Sequence, residues 1–165
     1  MTRLIILRGN SGSGKSTVAM ALRERSTAGR KIALVEQDYL RRHILKEKEC
    51  DNGDNIGLIR QTVEYALANN YDVILEGILY EPRYGSMIAS LIRLADLHWV
   101  YYFDVSFEET LRRHSTKHNA HEFGEEEMRA WYKDDDRLGY DGEITIPESN
   151  SFDDTVNYIL AQTNL

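Results

Sequence analysis

The chain has 165 residues, of which 42% are hydrophobic and 28% charged, as in an ordinary globular domain. This composition excludes collagen-like, low-complexity and intrinsically disordered chains, and the length predicts a single domain over residues 1–165. The formal charge of −7 argues against a non-specific nucleic-acid binder, so nucleic acid is not expected as a partner.

Neither a membrane span nor a secretory signal is expected from the sequence. The first apolar run, Leu4–Leu7, is bounded by Arg3 and Arg8 and is far shorter than the roughly 20 residues of a membrane helix. A single cysteine, Cys50, excludes an intrachain disulfide. The prediction is a cytoplasmic protein with no membrane partner.

Short strands and helices alternate along the whole chain. The β-rich runs are Thr2–Arg8, Lys31–Glu36, Tyr71–Glu76, His98–Val105 and Glu143–Pro147. Between and after them, apolar residues at helical spacing define buried faces at Val18, Ala21 and Leu22, at Ile59, Val63, Ala66 and Leu67, at Ile88, Leu91, Ile92 and Ala95, and at Phe152, Val156, Ile159 and Leu160. Because the third and fourth strands are apolar without alternation, the pattern predicts an α/β fold whose parallel sheet is covered on both faces.

The first predicted strand runs into a glycine-rich loop. This loop reads Gly9-Asn10-Ser11-Gly12-Ser13-Gly14-Lys15-Ser16, which fits the pattern GxxxxGK[ST] without departure, and Thr17 follows. Between a strand and a helix, such a loop points successive backbone N–H groups at phosphate oxygens. We therefore expect residues 9–17 to bind ATP, with Lys15 on the β- and γ-phosphates and the Ser16 hydroxyl on Mg²⁺.

A carboxylate and two arginines follow the second predicted strand. Asp38 falls at the carboxyl end of that strand, where ligands bind in open α/β sheets. It can accept the proton of an attacking hydroxyl or belong to the magnesium shell, and it can also simply cap a solvated basic helix. Arg41 shares its helix face and, with Arg42, is predicted to contact an acceptor that carries negative charge.

These two motifs resemble those of the small phosphate-loop kinases, among them chloramphenicol phosphotransferase, the 5′-kinase domain of polynucleotide kinases and zeta toxins. The loop Gly9–Ser16 matches their phosphate loop, and Asp38 with Arg41 matches the Asp-x-x-Arg pattern of the polynucleotide kinases. The resemblance implies a three-layer fold with a five-stranded parallel sheet of order 2-3-1-4-5, helices on both faces and a short lid at about 112–137. It also implies that Asp38 is the catalytic base, but it does not identify the acceptor.

The third predicted strand ends in an acid, as in a Walker B element. Glu76 follows the apolar run Val73–Leu75, and it is predicted either to orient a magnesium-bound water or to bind the acceptor. Tyr80 and Arg83 follow in the next loop, and their side chains suit an acceptor with a ring or a negative charge.

In the kinases that the chain resembles, an arginine-bearing lid follows strand four and closes on the ATP phosphates. Arg112, Arg113 and Lys117 match that placement, and Arg113 is the predicted catalytic cation. The many carboxylates after Gly124 depart from the family pattern, which leaves the choice among the three cations open.

The predicted function is therefore an ATP- and Mg²⁺-dependent kinase that transfers the γ-phosphate to a hydroxyl of a small molecule, such as a nucleoside, a sugar or an antibiotic. Three alternatives stay open: a zeta-toxin-like sugar-nucleotide kinase, a polynucleotide 5′-kinase, and a non-catalytic protein in which ATP acts as a switch. The sequence does not identify the acceptor, the oligomeric state or a preference for ATP over GTP.

Overall fold

The computed structural model describes residues 1–27, 29–116 and 124–165. The strands within these residues are β1 (Arg3–Gly9), β2 (Ile32–Glu36), β3 (Asp72–Gly77), β4 (Leu97–Asp104) and β5 (Glu143–Pro147). The α-helices are α1 (Lys15–Arg25), α2 (Asp54–Ala68), α3 (Glu81–Ile92), α4 (Phe107–Ser115), α5 (Glu125–Trp131) and α6 (Phe152–Thr163), and a short π-helix covers Tyr39–Ile44. Each predicted strand agrees with the structure to within one residue at either end.

The five strands form one parallel sheet of order β2-β3-β1-β4-β5, which confirms the predicted topology. Glu36 pairs in register with Glu76, and Arg8 pairs with Gly77 and Tyr102. Because all strands run in one direction, their carboxyl ends lie at one edge of the sheet. The phosphate loop and the segments that follow β2, β3 and β4 begin there.

Two apolar clusters cover the two faces of the sheet. Leu4 and Ile6 of β1 pack with α2 and α3, whereas Ile5 and Leu7 pack with α1 and α6. This division explains why β1 is apolar at successive positions, since both of its faces are buried. No helix among residues 1–27, 29–116 and 124–165 has the length and apolar character needed to cross a membrane.

Two helices begin at a serine whose side chain caps the first turn. The hydroxyl oxygens of Ser106 and Ser151 accept hydrogen bonds from the backbone N–H groups of Glu109 and Asp154, at 3.4 and 3.1 Å.

One residue predicted for the core lies outside it. Phe152 was expected on the buried face of α6 and is 40% exposed. Its ring packs under the Arg25 guanidinium, with 5.2 Å between the guanidinium carbon and the ring centre, so this contact with a cation replaces burial in the core.

Candidate active site

Three glycines of the phosphate loop have a backbone conformation that favours glycine. Gly9, Gly12 and Gly14 have φ angles of 141°, 80° and 97°. A Cβ atom on Gly12 would also lie 2.7 Å from the backbone carbonyl oxygen of Thr110. The loop therefore lies directly against α4, which brings the residues of that helix next to the phosphate loop.

Replacement of Gly12 by alanine should damage both the fold and nucleotide binding. The left-handed backbone costs an alanine about 1–2 kcal/mol, and the contact with Thr110 adds to this cost because backbone atoms cannot move away cheaply. We expect Gly12→Ala to lower the free energy of unfolding by more than about 2 kcal/mol and to weaken binding of a non-hydrolysable ATP analogue.

Gly139→Ala is the matched control for this prediction. Gly139 has a φ of 70° but no atom within 4 Å of the added Cβ. It should therefore show only the backbone cost of about 1–2 kcal/mol and normal nucleotide binding, as measured by urea unfolding and calorimetry. Equal losses in both variants would show that the contact with α4 has no effect.

The N-terminus of α1 fits a triphosphate. Gly14 occupies the N-cap position, no side chain of the described residues caps the first turn, and no acidic residue lies in that turn. The ammonium group of Lys15 is buried and donates hydrogen bonds to the backbone oxygen of Asn10 at 2.7 Å and to the hydroxyl of Ser13 at 3.1 Å. The backbone N–H groups of this first turn and one ammonium group therefore lie in the same loop. Such an arrangement binds a polyphosphate.

Ser16 and Glu76 lie together beneath this loop. The Ser16 hydroxyl donates to the Glu76 carboxylate at 3.2 Å, and Glu76 is only 5% exposed. Burial raises the pKa of Glu76, and the nearby Lys15 ammonium group opposes that rise. A hydroxyl and a carboxylate side by side are the oxygen ligands that Mg²⁺ prefers, so these two residues fit the metal predicted for the site.

A cavity of about 570 Å³ opens beside the phosphate loop. It is lined near the π-helix by Asp38, Arg41 and Arg42 and near the end of α5 by Trp131 and Lys133. Tyr80 lines it from the segment after β3, and Arg83 and Tyr84 line it from the first turn of α3, so Arg83 is helical and not in a loop as predicted. Ser11 of the phosphate loop, Lys48 and Glu49 also line it. The structure thus brings together the residues predicted to bind the acceptor, except Glu76, which lies at Ser16 instead.

Asp38 is held at the cavity wall by two arginines. Its carboxylate is 2.9 Å from Nη2 of Arg41 and 4.0 Å from Nε of Arg42, while its side chain stays 57% exposed. Arg41 is fixed in turn by Glu49, at 3.0 Å, and by the backbone oxygen of Glu47, at 3.1 Å. Asp38 is therefore positioned by its neighbours and still accessible to a molecule in the cavity.

The two arginines predicted for the lid differ in their placement on α4. Nη1 of Arg113 donates to the backbone oxygen of Ser13 in the phosphate loop at 2.9 Å. Arg112 is 69% exposed and bonds to Glu109, whose pKa falls to about 2 because it accepts hydrogen bonds from Arg112 and Arg113. Arg113 is thus the arginine of this pair that contacts the phosphate loop, and Lys117 lies outside the described residues.

Two further contacts join the phosphate loop to the chain after α5, and sequence reasoning missed both. The Asn10 side chain exchanges two hydrogen bonds of 2.8 Å with the backbone N–H and C=O of Lys133. Arg8, fully buried at the end of β1, forms ion pairs of 2.6 Å with Asp136 and 2.8 Å with Glu143. The arginine at the end of an apolar strand could have indicated these ion pairs, since a buried charge needs a partner elsewhere in the chain.

The parallel sheet, its strand order and the phosphate loop define a phosphate-loop NTPase fold. Its sequence matches the AAA domain family over residues 4–134, so the chain belongs to that family. No curated protein matches the sequence at a significant level.

Solved structures of kinases share this fold. The APS kinase of Mycobacterium tuberculosis, in complex with AMPPNP and APS, has a TM-score of 0.75 at 16% identity, covering 99% of this chain and 98% of that one. A gluconokinase from Sinorhizobium meliloti gives 0.66 at 18% identity, with 97% and 90% covered. A sugar kinase from Janibacter gives 0.64 at 16% identity, with 98% and 94% covered. At these identities the likeness concerns the fold alone.

Proposed function

We propose that this protein is an ATP- and Mg²⁺-dependent kinase that phosphorylates a hydroxyl group of a small molecule. The observation that carries the proposal is the position of the 570 Å³ cavity, which is lined both by Ser11 of the phosphate loop and by Asp38. A γ-phosphate on the loop and an acceptor in the cavity would meet at this boundary. Structures of the same fold are kinases, and one of them holds the nucleotide analogue AMPPNP, which supports ATP as the donor.

In the proposed reaction, the acceptor hydroxyl oxygen forms a bond to the γ-phosphorus while the bond from that phosphorus to the β,γ-bridging oxygen breaks. ADP leaves, and the hydroxyl proton passes to the carboxylate of Asp38. Lys15 compensates charge on the β- and γ-phosphates, and Arg113 adds a second cation next to Ser13.

Ser16 and Glu76 would hold Mg²⁺, which supplies positive charge to the β- and γ-phosphate oxygens. The two residues are already hydrogen-bonded to each other, so the chain presents both oxygens on the same side of the loop. Asp38 lines the cavity and pairs there with Arg41, which supports its role as the base for an acceptor bound in the cavity.

The test is transfer of labelled γ-phosphate from ATP into a pool of nucleosides, sugars, sugar nucleotides and antibiotics, with products resolved by chromatography and mass. The wild type should yield a new phosphorylated species, and Lys15→Ala should yield none because it lacks the ammonium group at the phosphates. If ATP binds but the wild type labels nothing in the pool or on an oligonucleotide, the nucleotide-switch alternative gains over the kinase.

A further inference from the structure

We propose that the acceptor is a small organic anion of nucleotide size, either a phosphate ester or a carboxylic acid, which the cavity recognises by its negative charge and by a flat or apolar face. This inference rests on the proposed function, because it names the class of molecule that receives the phosphate.

The cavity is positively charged although the protein as a whole is acidic. Five basic residues line it, namely Arg41, Arg42, Lys48, Arg83 and Lys133, against the two acids Asp38 and Glu49. The formal charge of the lining is thus 5 − 2 = +3, in a chain whose formal charge is −7. A cluster of one sign in a concave, partly apolar cavity concentrates its field there and attracts an anion.

Two of these cations lack a carboxylate partner. Arg41 and Arg83 are compensated by Glu49, at 3.0 and 3.7 Å, and Arg83 also by Asp51, at 2.6 Å. Lys48 and Lys133 have no carboxylate within ion-pair distance in the part of the chain that the structure describes. Their charge is therefore available to a ligand, whereas Arg41 and Arg83 are held in fixed orientations by Glu49 and Asp51.

Three aromatic side chains also line the cavity. The centre of the Tyr80 ring is 5.9 Å from the guanidinium carbon of Arg83 and 5.3 Å from the ammonium group of Lys133. Tyr84 is buried and accepts a hydrogen bond of 2.8 Å from Gln37 through its hydroxyl. Trp131 adds an indole that is 36% exposed. Rings beside cations suit a ligand that combines an anionic group with a ring or another flat surface.

The size and surroundings of the cavity favour a small molecule over a nucleic-acid end. A volume of 570 Å³ lies in the range of sites for cofactor-sized ligands, roughly 300–1,000 Å³. Exposed acids lie next to it in the chain, at Asp51, Asp134 and Asp135, and would repel a polyanion that continued beyond the cavity.

The experiment measures the binding of small-molecule probes to the full chain. The chain is saturated with AMPPNP and Mg²⁺, so that the ATP site is not available to the probes. The probes are matched pairs that differ in charge: glucose 6-phosphate and glucose, gluconate and glucitol, and uridine 5′-monophosphate and uridine. The proteins are the wild type, Lys48→Gln, Lys133→Gln and the control Lys31→Gln. Lys31 loses the same charge but precedes β2, at the opposite edge of the sheet from the cavity.

We expect the anionic member of at least one pair to bind about tenfold or more tightly than its neutral partner, since hydrogen bonds to a charged group are stronger than those between neutral groups. Lys48→Gln and Lys133→Gln should each reduce that preference several-fold, and Lys31→Gln should leave it unchanged. Equal binding of charged and neutral probes, no binding of any anionic probe, or a preference that both cavity variants retain would overturn the proposal.

The same proteins distinguish this inference from the proposed function. Transfer of label to a neutral acceptor, or to the 5′-hydroxyl of an oligonucleotide in place of a small anion, would overturn the anionic small-molecule acceptor and keep the kinase. Selective binding of anions, lost in both cavity variants but without transfer to any acceptor, would support the charge recognition and refute the kinase.

Discussion

Replacing Asp38 with asparagine is expected to reduce phosphoryl transfer about 10²–10⁴-fold while binding of an ATP analogue stays unchanged. The amide keeps the shape of the carboxylate and an oxygen for the contact with Arg41, which is 2.9 Å away in the wild type. It cannot take the proton of the acceptor hydroxyl at neutral pH. The substitution should leave the phosphate loop intact, because Asp38 takes no part in the hydrogen bonds described for Lys15, for Ser16 or between Arg113 and Ser13.

The measurement is single-turnover transfer to the acceptor found in the labelling experiment, with calorimetry of AMPPNP binding alongside it. Asp153→Asn is the matched control: this acid is also exposed and paired with an arginine, Arg25 at 2.7 Å, but it lies on α6 away from the cavity. Turnover in Asp38→Asn equal to that of the control would remove Asp38 from the mechanism. Loss of AMPPNP binding would assign Asp38 to the nucleotide site instead.

The fold was predictable because its signals are local. The buried strands β1, β3 and β4 are continuous apolar runs, and the serines at 106 and 151 mark helix starts by their own hydrogen bonds. The glycines of the phosphate loop predict its left-handed backbone conformation directly from the sequence. The strand order came from the resemblance to known kinases, since the pattern itself does not say which strands are neighbours.

The acceptor site was predictable only where its residues follow a strand. Asp38 and Tyr80 come shortly after β2 and β3, and Arg83 lies in the first turn of α3, so the parallel sheet places all three at one edge. Lys48 and Lys133 reach the same cavity from irregular segments, and no periodicity shows where such a segment lies. For Glu76 the sequence left two roles open, and the contact with Ser16 joins residues 60 positions apart in the chain.

The buried guanidinium group of Arg8 connects β1 to two walls of the cavity. One guanidinium nitrogen donates to the backbone oxygen of Leu79, just before Tyr80, at 3.2 Å, and to the carboxylate of Asp136 at 2.6 Å. The Asp136 carboxylate also accepts from the backbone N–H of Glu81, at the start of α3, at 3.1 Å. Two walls of the cavity, the β3–α3 segment and the chain after α5, are therefore fixed to the strand that carries the phosphate loop.

Arg8→Met should therefore lower the free energy of unfolding by about 3–5 kcal/mol, the usual cost of leaving buried carboxylates without their cation. The side chains of Asp136 and Glu143 are only 10% and 4% exposed, so water cannot replace the guanidinium. Urea unfolding measures this loss. In the folded variant, the acceptor KM should rise more than the KM for ATP, because the cavity walls lose their link while the loop glycines remain.

Arg137→Met is the control, since both arginines lie over the Tyr102 ring, with guanidinium carbons 5.4 and 4.7 Å from its centre. Arg137 is 33% exposed and pairs with the exposed acids Asp104 and Asp135, so its loss should cost no more than about 1 kcal/mol. Equal destabilisation by the two variants would show that contact with the ring, and not compensation of buried acids, is what Arg8 contributes.

The pH dependence gives an independent test of the role of Arg8. Burial raises the pKa of Asp136 even in the wild type, where Arg8 acts against that rise, and removal of Arg8 should raise it further. A carboxyl whose pKa is higher in the folded state binds protons more tightly there, so stability falls as pH rises through its titration. The deficit of Arg8→Met should therefore be smaller at pH 5 than at pH 8. A deficit independent of pH would mean that lost packing, rather than unpaired carboxylates, accounts for the effect.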